Sequence, residues 1–257
     1  MIPVRDLIPT RRFPVVTWAL IIANVMSYLW ELALVGAGYD AVVLDWGLVP
    51  ARLLHDPVAG LLTVLTSMFL HAPEGWWHIG GNMLFLWVFG ANVEDALGRW
   101  RFLGFYLLAG LAAALTQVAI EPHSMVPMVG ASGAVAGVLA AYGSLYPRAP
   151  VVVLNPIPPL WLFFGPFFRL PAWVIILWFF VLNLANGLGT LALPASHGGV
   201  AFFAHIGGFL AGLLFVRLLL PSRPPAVGRA DPWEGWRPPL RMGGQAPLSP
   251  RPPTWPR

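Results

Sequence analysis

The chain has no cysteine and no lysine, and only 10% of its 257 residues are charged. The missing thiols exclude disulfides, thiolate metal sites and a cysteine nucleophile, and say little about redox compartment. With lysine absent, every basic residue is arginine, which reads as a codon or lineage bias and supports no functional claim. The shortage of charge decides more. A soluble domain carries about 25% charged residues, whereas this chain is 58% hydrophobic with a mean hydropathy of +0.71. That composition implies an integral membrane protein. The pI near 10.1 does not argue for a nucleic-acid partner, because the arginines form neither a patch nor an aromatic-interleaved stripe.

Residues 1–14 lack the apolar core and small-residue cleavage site of a removable signal peptide, so the first apolar run is expected to stay as a membrane helix. Stretches near the ~20 residues needed to cross a bilayer fall at approximately 14–35, 78–95, 101–120, 132–147, 171–191 and 198–220. The expected fold is therefore all-α, a polytopic bundle of six transmembrane helices. Residues 58–70 read as an interfacial or re-entrant piece, and the proline-broken 149–168 as a membrane-hugging hairpin or loop. Arg5, Arg11 and Arg12 precede helix one; Arg99 and Arg101, Arg148 and Arg169, and Arg217 and Arg223 mark the same side later. By the positive-inside rule both termini are cytoplasmic, and helices two, four and six run inward. The expected layout is a cytoplasmic segment 1–13, a membrane domain 14–220 and a disordered, proline- and arginine-rich tail 221–257. Trp233 and Trp236 in that tail are candidates to brush an anionic leaflet.

Against this apolar background a few polar residues stand out. Ser132, in Gly130-Ala131-Ser132-Gly133, opens helix four, and His205 lies inside helix six. A hydroxyl and an imidazole are the minimum parts of a nucleophile and its general base. Helix four, if it spans only 132–147, covers about 24 Å, so Ser132 should be recessed below the outer surface. With helix six starting near residue 198, His205 lies roughly 10 Å deep, a matching level. His78 and Asn82, spaced i, i+4, share a face near the outer end of helix two. They can donate to a developing oxyanion, as can the Ser132 amide at its helix N-terminus. Gly130, Gly133 and Gly137, and Gly208 with Gly212, form small-residue faces that let helices approach closely.

Each residue also has an inert reading. Ser132 could be an N-cap, His205 a buried histidine bonded to a carbonyl, His78 an interface residue beside Trp76 and Trp77, and Asn82 a helix–helix contact. Their coincidence at one depth on three co-oriented helices favours chemistry.

These residues resemble the rhomboid family of intramembrane serine proteases, bacterial type, over roughly residues 60–220. The likeness rests on Ser67-Met68-Phe69-Leu70-His71, His78-Ile79-Gly80-Gly81-Asn82, Gly130-Ala131-Ser132-Gly133 and Ala204-His205-Ile206-Gly207-Gly208 with Gly212. The resemblance implies Ser132 as nucleophile, His205 as base and then acid, and His78, Asn82 and the Ser132 amide as oxyanion hole. It implies no metal and no cofactor, Glu94 as a structural tie at the cytoplasmic end, and His71 as a structural loop residue. It also makes helix five, with Trp173, Trp178 and Phe179, the candidate gate. The implied partners are transmembrane segments of substrate proteins and the lipid bilayer, in a bacterial inner membrane. Two departures are visible: Leu62-Thr63 stands where some members carry Trp-Arg, and Ala136 replaces a tyrosine that stacks on the histidine. His205 must then be oriented by something else, with Phe202 or Phe203 as candidates.

Zinc and aspartyl proteolysis are unsupported, because the chain has no His-Glu-x-x-His and no pair of intramembrane aspartates. The rivals are an inactive rhomboid-like binder of membrane segments and a small transporter using His205 as a proton relay.

Overall fold

A computed structural model describes residues 2–34, 39–71, 76–155, 157–190 and 201–221. All but the first residue of the expected tail 221–257, with Trp233 and Trp236, and the outer start of the sixth span at 198–200 lie outside the described residues.

Helix α1 (Val15–Ala33) is followed by three short helices, α2 (Tyr39–Trp46), α3 (Pro50–His55) and α4 (Pro57–Thr66). The piece expected to be interfacial is thus the ten-residue α4 and the turn after it. Val58, Leu61, Leu62 and Leu65 are exposed on α4, while Val64 is buried against the bundle. A helical path then runs through α5 (Trp76–Phe85), a π-helical stretch (Leu86–Gly90) and α6 (Ala91–Leu97). It continues with α7 (Arg99–Ile120), α8 (Ser132–Leu145), a short α9 (Trp161–Phe164), α10 (Ala172–Thr190) and α11 (Phe202–Leu219).

Four of these helices are long and apolar enough to cross a membrane: Val15–Ala33, Arg99–Ile120, Ala172–Gly189 and Phe202–Leu219. The chain is a multi-pass, mainly helical membrane protein. The other two expected spans fall short of that measure for visible reasons. The second is broken by its π-helical stretch, and α8 has only 14 residues, about 21 Å at 1.5 Å per residue.

A small antiparallel sheet was not expected. Strands β1 (Ile2–Asp6), β2 (Pro150–Leu154) and β3 (Phe167–Pro171) pair in the order β1-β2-β3. Ile2 lies opposite Leu154 and Asp6 opposite Val151, with a bulge between Pro3 and Arg5. The hairpin expected over 149–168 exists, but its arms are strands, and the first residues of the chain join them. Val151-Val152-Val153 supplies the β-branched run that favours strand, and Pro150 and Pro171 sit at strand ends, where a missing N–H is tolerated.

The core centres on α8. Every residue from Gly133 to Tyr142 is buried, packed by Phe89, Phe102, Phe105 and Tyr106 of the neighbouring helices. Against α11 the packing is backbone to backbone: a Cβ on Gly208 would strike the Gly133 carbonyl, and one on Gly212 the Gly137 carbonyl. Hydrocarbon tails are as apolar as leucine, so such close approach supplies the association energy that burial supplies in water.

Candidate active site

Ser132 is the first residue of α8, and the residue in the N-cap position is Ala131. The serine is therefore not a cap: no side-chain capping bond forms there. Its Oγ lies 2.7 Å from His205 Nε2, a normal strong hydrogen bond. Gly130, just before, has φ +124°, a conformation that side chains rarely adopt. Its N–H donates to the Ser67 carbonyl at 2.8 Å, and a Cβ there would come 2.9 Å from His78 Nε2. Glycine at 130 is thus what lets the turn into α8 pass under the His78 ring.

His205 is the fourth residue of α11, which begins at Phe202. Both Ser132 and His205 sit in the first turns of their helices. They meet because the glycine faces bring those two N-terminal turns together. The N-terminal turn of α11 is held from the side by Gln117 of α7, whose Oε1 accepts from the Ala204 amide at 3.2 Å.

The imidazole is fixed by a residue that spacing did not reveal. Its Nδ1 is hydrogen-bonded to Asn183 Oδ1 on α10, and Asn183 Nδ2 in turn donates to the Phe179 carbonyl at 2.8 Å. The Phe179 ring lies 5.9 Å from the imidazole, and Phe202 meets it edge-on at 6.5 Å. Of the two phenylalanines expected to orient His205, Phe202 touches it, but the polar restraint is Asn183.

A cavity of about 660 Å³ opens here, lined among others by Ser132, His78, Ser67, Trp77, Gly130 and Ala201. His205 stands behind the serine, buried. Asn82 is not on the cavity wall; its Nδ2 lies 3.1 Å from His71 Nε2. Because His71 Nδ1 faces the Phe69 carbonyl at 3.2 Å, Nδ1 carries that ring's proton and Nε2 accepts from the amide. The His71 N–H donates to Glu31 Oε2 of α1 at 2.9 Å, so a buried chain of bonds runs Glu31–His71–Asn82. The structure thus brings Ser132 and His78 to one cavity, with His205 bonded behind the serine and Asn82 one turn further along α5. At 5.2 Å, the rings of His71 and His78 meet edge to face.

The family model described as Rhomboid domain matches residues 59–222. The chain belongs to the rhomboid family. Among its curated relatives, Rhomboid protein 1, mitochondrial, of Saccharomyces cerevisiae is 30% identical over 168 residues, 63% of this chain and 43% of that protein. Presenilin-associated rhomboid-like protein, mitochondrial, of Homo sapiens is 28% identical over 176 residues, covering 64% and 40%. Rhomboid-like protein 11, chloroplastic, of Arabidopsis thaliana is 40% identical over a shorter 76 residues, covering 30% and 26%. The chain matches less than half the length of these relatives. Their names are organellar, so the bacterial qualifier attached to the sequence resemblance finds no support in them.

For this rhomboid, sequence reasoning missed Asn183, Glu31 and Gln117. All three are buried polar residues in apolar helices, and that alone was the available signal, since polar side chains inside membrane segments are rarely idle.

Proposed function

We propose that this rhomboid is an intramembrane serine endopeptidase that cuts transmembrane segments of other membrane proteins. The observation that carries the reading is the 2.7 Å contact of Ser132 Oγ with His205 Nε2 at the edge of a cavity. In the proposed reaction Ser132 Oγ attacks the scissile carbonyl carbon while its proton passes to Nε2. The negative oxygen of the tetrahedral species is stabilised by the Ser132 N–H and His78, with the second amide hydrogen of Asn82 as a further donor. His205 returns the proton to the leaving amine as the C–N bond breaks. Water from the cavity then attacks the acyl-enzyme with the same histidine as base.

A helical peptide bond is shielded by its own hydrogen bonds, so a substrate segment must unwind where Ser132 meets it. Entry from the side of α10 fits its exposed Trp173, Leu177 and Trp178. The six-span layout, with a membrane domain 14–220 between segments 1–13 and 221–257 and both termini on the arginine-rich side, belongs to the same reading and draws on the arginine positions. An inactive binder of membrane segments is the alternative, disfavoured because both reacting groups are present and in contact.

In a purified, reconstituted assay, Ser132→Ala should abolish cleavage of a transmembrane reporter without altering thermal stability. Cleavage at the wild-type rate by that variant would remove Ser132 as nucleophile. Labelling of Ser132 by a fluorophosphonate should disappear in His205→Ala, a result neither a transporter nor an inert binder predicts.

A further inference from the structure

His205 presents two ring nitrogens to two different partners. Nε2 faces the Ser132 hydroxyl and Nδ1 faces Asn183. A neutral imidazole has one donor and one acceptor, so only one tautomer can take the serine's proton: the one with hydrogen on Nδ1. What selects it is the direction of the Asn183 amide. Asn183 Nδ2 donates to the Phe179 carbonyl within α10. Flipping the amide would set its oxygen against that carbonyl oxygen, acceptor to acceptor, inside a buried site where unpaired polar atoms are costly. Oδ1 is therefore held toward the imidazole, and an oxygen there accepts only from a protonated Nδ1.

We propose that Asn183 is the positioning residue of the serine–histidine pair, holding His205 in the tautomer and ring orientation that keep Nε2 available as the base. The pair thereby becomes a three-residue unit in which a neutral amide does the orienting. The proposal deepens the protease reading and rests on it for the kinetic consequence. The tautomer itself is a property of the folded protein whether or not it cleaves anything. A second consequence follows from the location. Asn183 sits on α10, whose Trp173, Leu177, Trp178, Val181 and Leu182 are exposed, whereas Ser132 and His205 sit on the closely packed α8 and α11. Displacing α10 would release the imidazole's Nδ1 while leaving the serine and histidine helices together.

The test is ¹⁵N NMR of histidine-labelled full-length protein, with the His205 signals assigned by their loss in His205→Gln, alongside reporter kinetics. Wild type should show a protonated Nδ1 and unprotonated Nε2. Asn183→Leu, close in size but without an acceptor, should lose that pattern and lower kcat roughly 100-fold, within the range a positioned base contributes, with KM unchanged. Asn183→Asp keeps an acceptor oxygen and should restore the Nδ1-protonated signature. Should Asn183→Leu not fold, the Asn183→Ala protein carries the same comparison. An unchanged tautomer and kcat in the acceptor-less variants would overturn the proposal, as would a wild-type ring protonated on Nε2. If wild type proves inactive, the protease reading fails while the tautomer measurement still decides the role of Asn183.

Discussion

At the end of the bundle where α1 begins, polar side chains are consumed by structure. Both Glu94 carboxylate oxygens accept from the amides that open α1, Val16 at 3.0 Å and Thr17 at 2.7 Å, and the Thr17 hydroxyl adds a third bond at 2.8 Å. Arg11 pairs with Asp95 at 2.8 Å, and Asp6 accepts from Tyr142 and Asn92. At the other end, Ser132 and His78 face a cavity, and the bonds behind them restrain the ring of His205 and the amide of Asn82. The same residue types thus serve two purposes. Where Glu94 caps α1, both of its carboxylate oxygens are used and the helix is pinned. Where a hydroxyl and an imidazole meet beside open space, one partner of each bond remains free to exchange for a substrate.

The contact that joins the two reacting helices is the most severe place to break this arrangement. In Gly208→Ala the new Cβ meets the Gly133 carbonyl, which cannot yield without separating α8 from α11. Overpacking of this kind costs about 1–3 kcal/mol, occasionally more, and here it also pulls Ser132 from His205. Thermal stability and cleavage should both collapse; a variant with native melting and native turnover would show that helix approach is not what assembles the site. His78→Ala should separate the two properties. Loss of one oxyanion donor lowers kcat about 10²–10³-fold, with little change in melting temperature, because His78 lines the cavity. A fall in stability with unchanged kcat would instead assign His78 to structure.

How much of this could be read beforehand varies with the range of the interaction. Ser132 and His205 were legible because each is an isolated polar residue beside small-residue spacing, and the glycines announce which helix faces meet. Asn183 was not, because its partner lies on another helix and the same run carries a second asparagine, the exposed Asn186, so polarity alone does not mark which turn faces inward. The sheet was hidden for a related reason. Its strands are five residues each and carry prolines, and β1 pairs with residues about 150 positions away, so no local pattern records the pairing. The start of the sixth span was not marked, because residues 198–204 are glycine or apolar throughout, leaving hydropathy without an edge.

Glu94→Ala loosens the pinned end of the bundle. It strands two amides and a hydroxyl at the start of α1, a loss of about 3 kcal/mol for charge-assisted bonds in a buried setting. The folded fraction should keep the wild-type kcat, since Glu94 does not line the cavity and bonds instead to the start of α1. Chemical denaturation in micelles, paired with active-site titration, separates the two; a lowered kcat per titrated site would contradict a purely structural Glu94.

The smallest expected effect is pH-dependent and concerns the docking of β1. Burial pushes the Asp6 carboxyl up to about 6, opposed by Tyr142, Arg5 and Asn92. A carboxyl raised above its ordinary value of 3.8 favours the folded state when protonated. Its contribution is complete below that ordinary value and is lost as pH rises through about 6. Asp6→Asn is neutral throughout and should show no such slope. Between pH 4 and pH 7.5 the wild type should lose about 1–2 kcal/mol relative to the variant, after allowance for partial solvent screening. Parallel stability profiles for the two proteins would mean that Asp6 is charged in the folded state, and that its bonds to Tyr142 and Asn92 offset the cost of burying it.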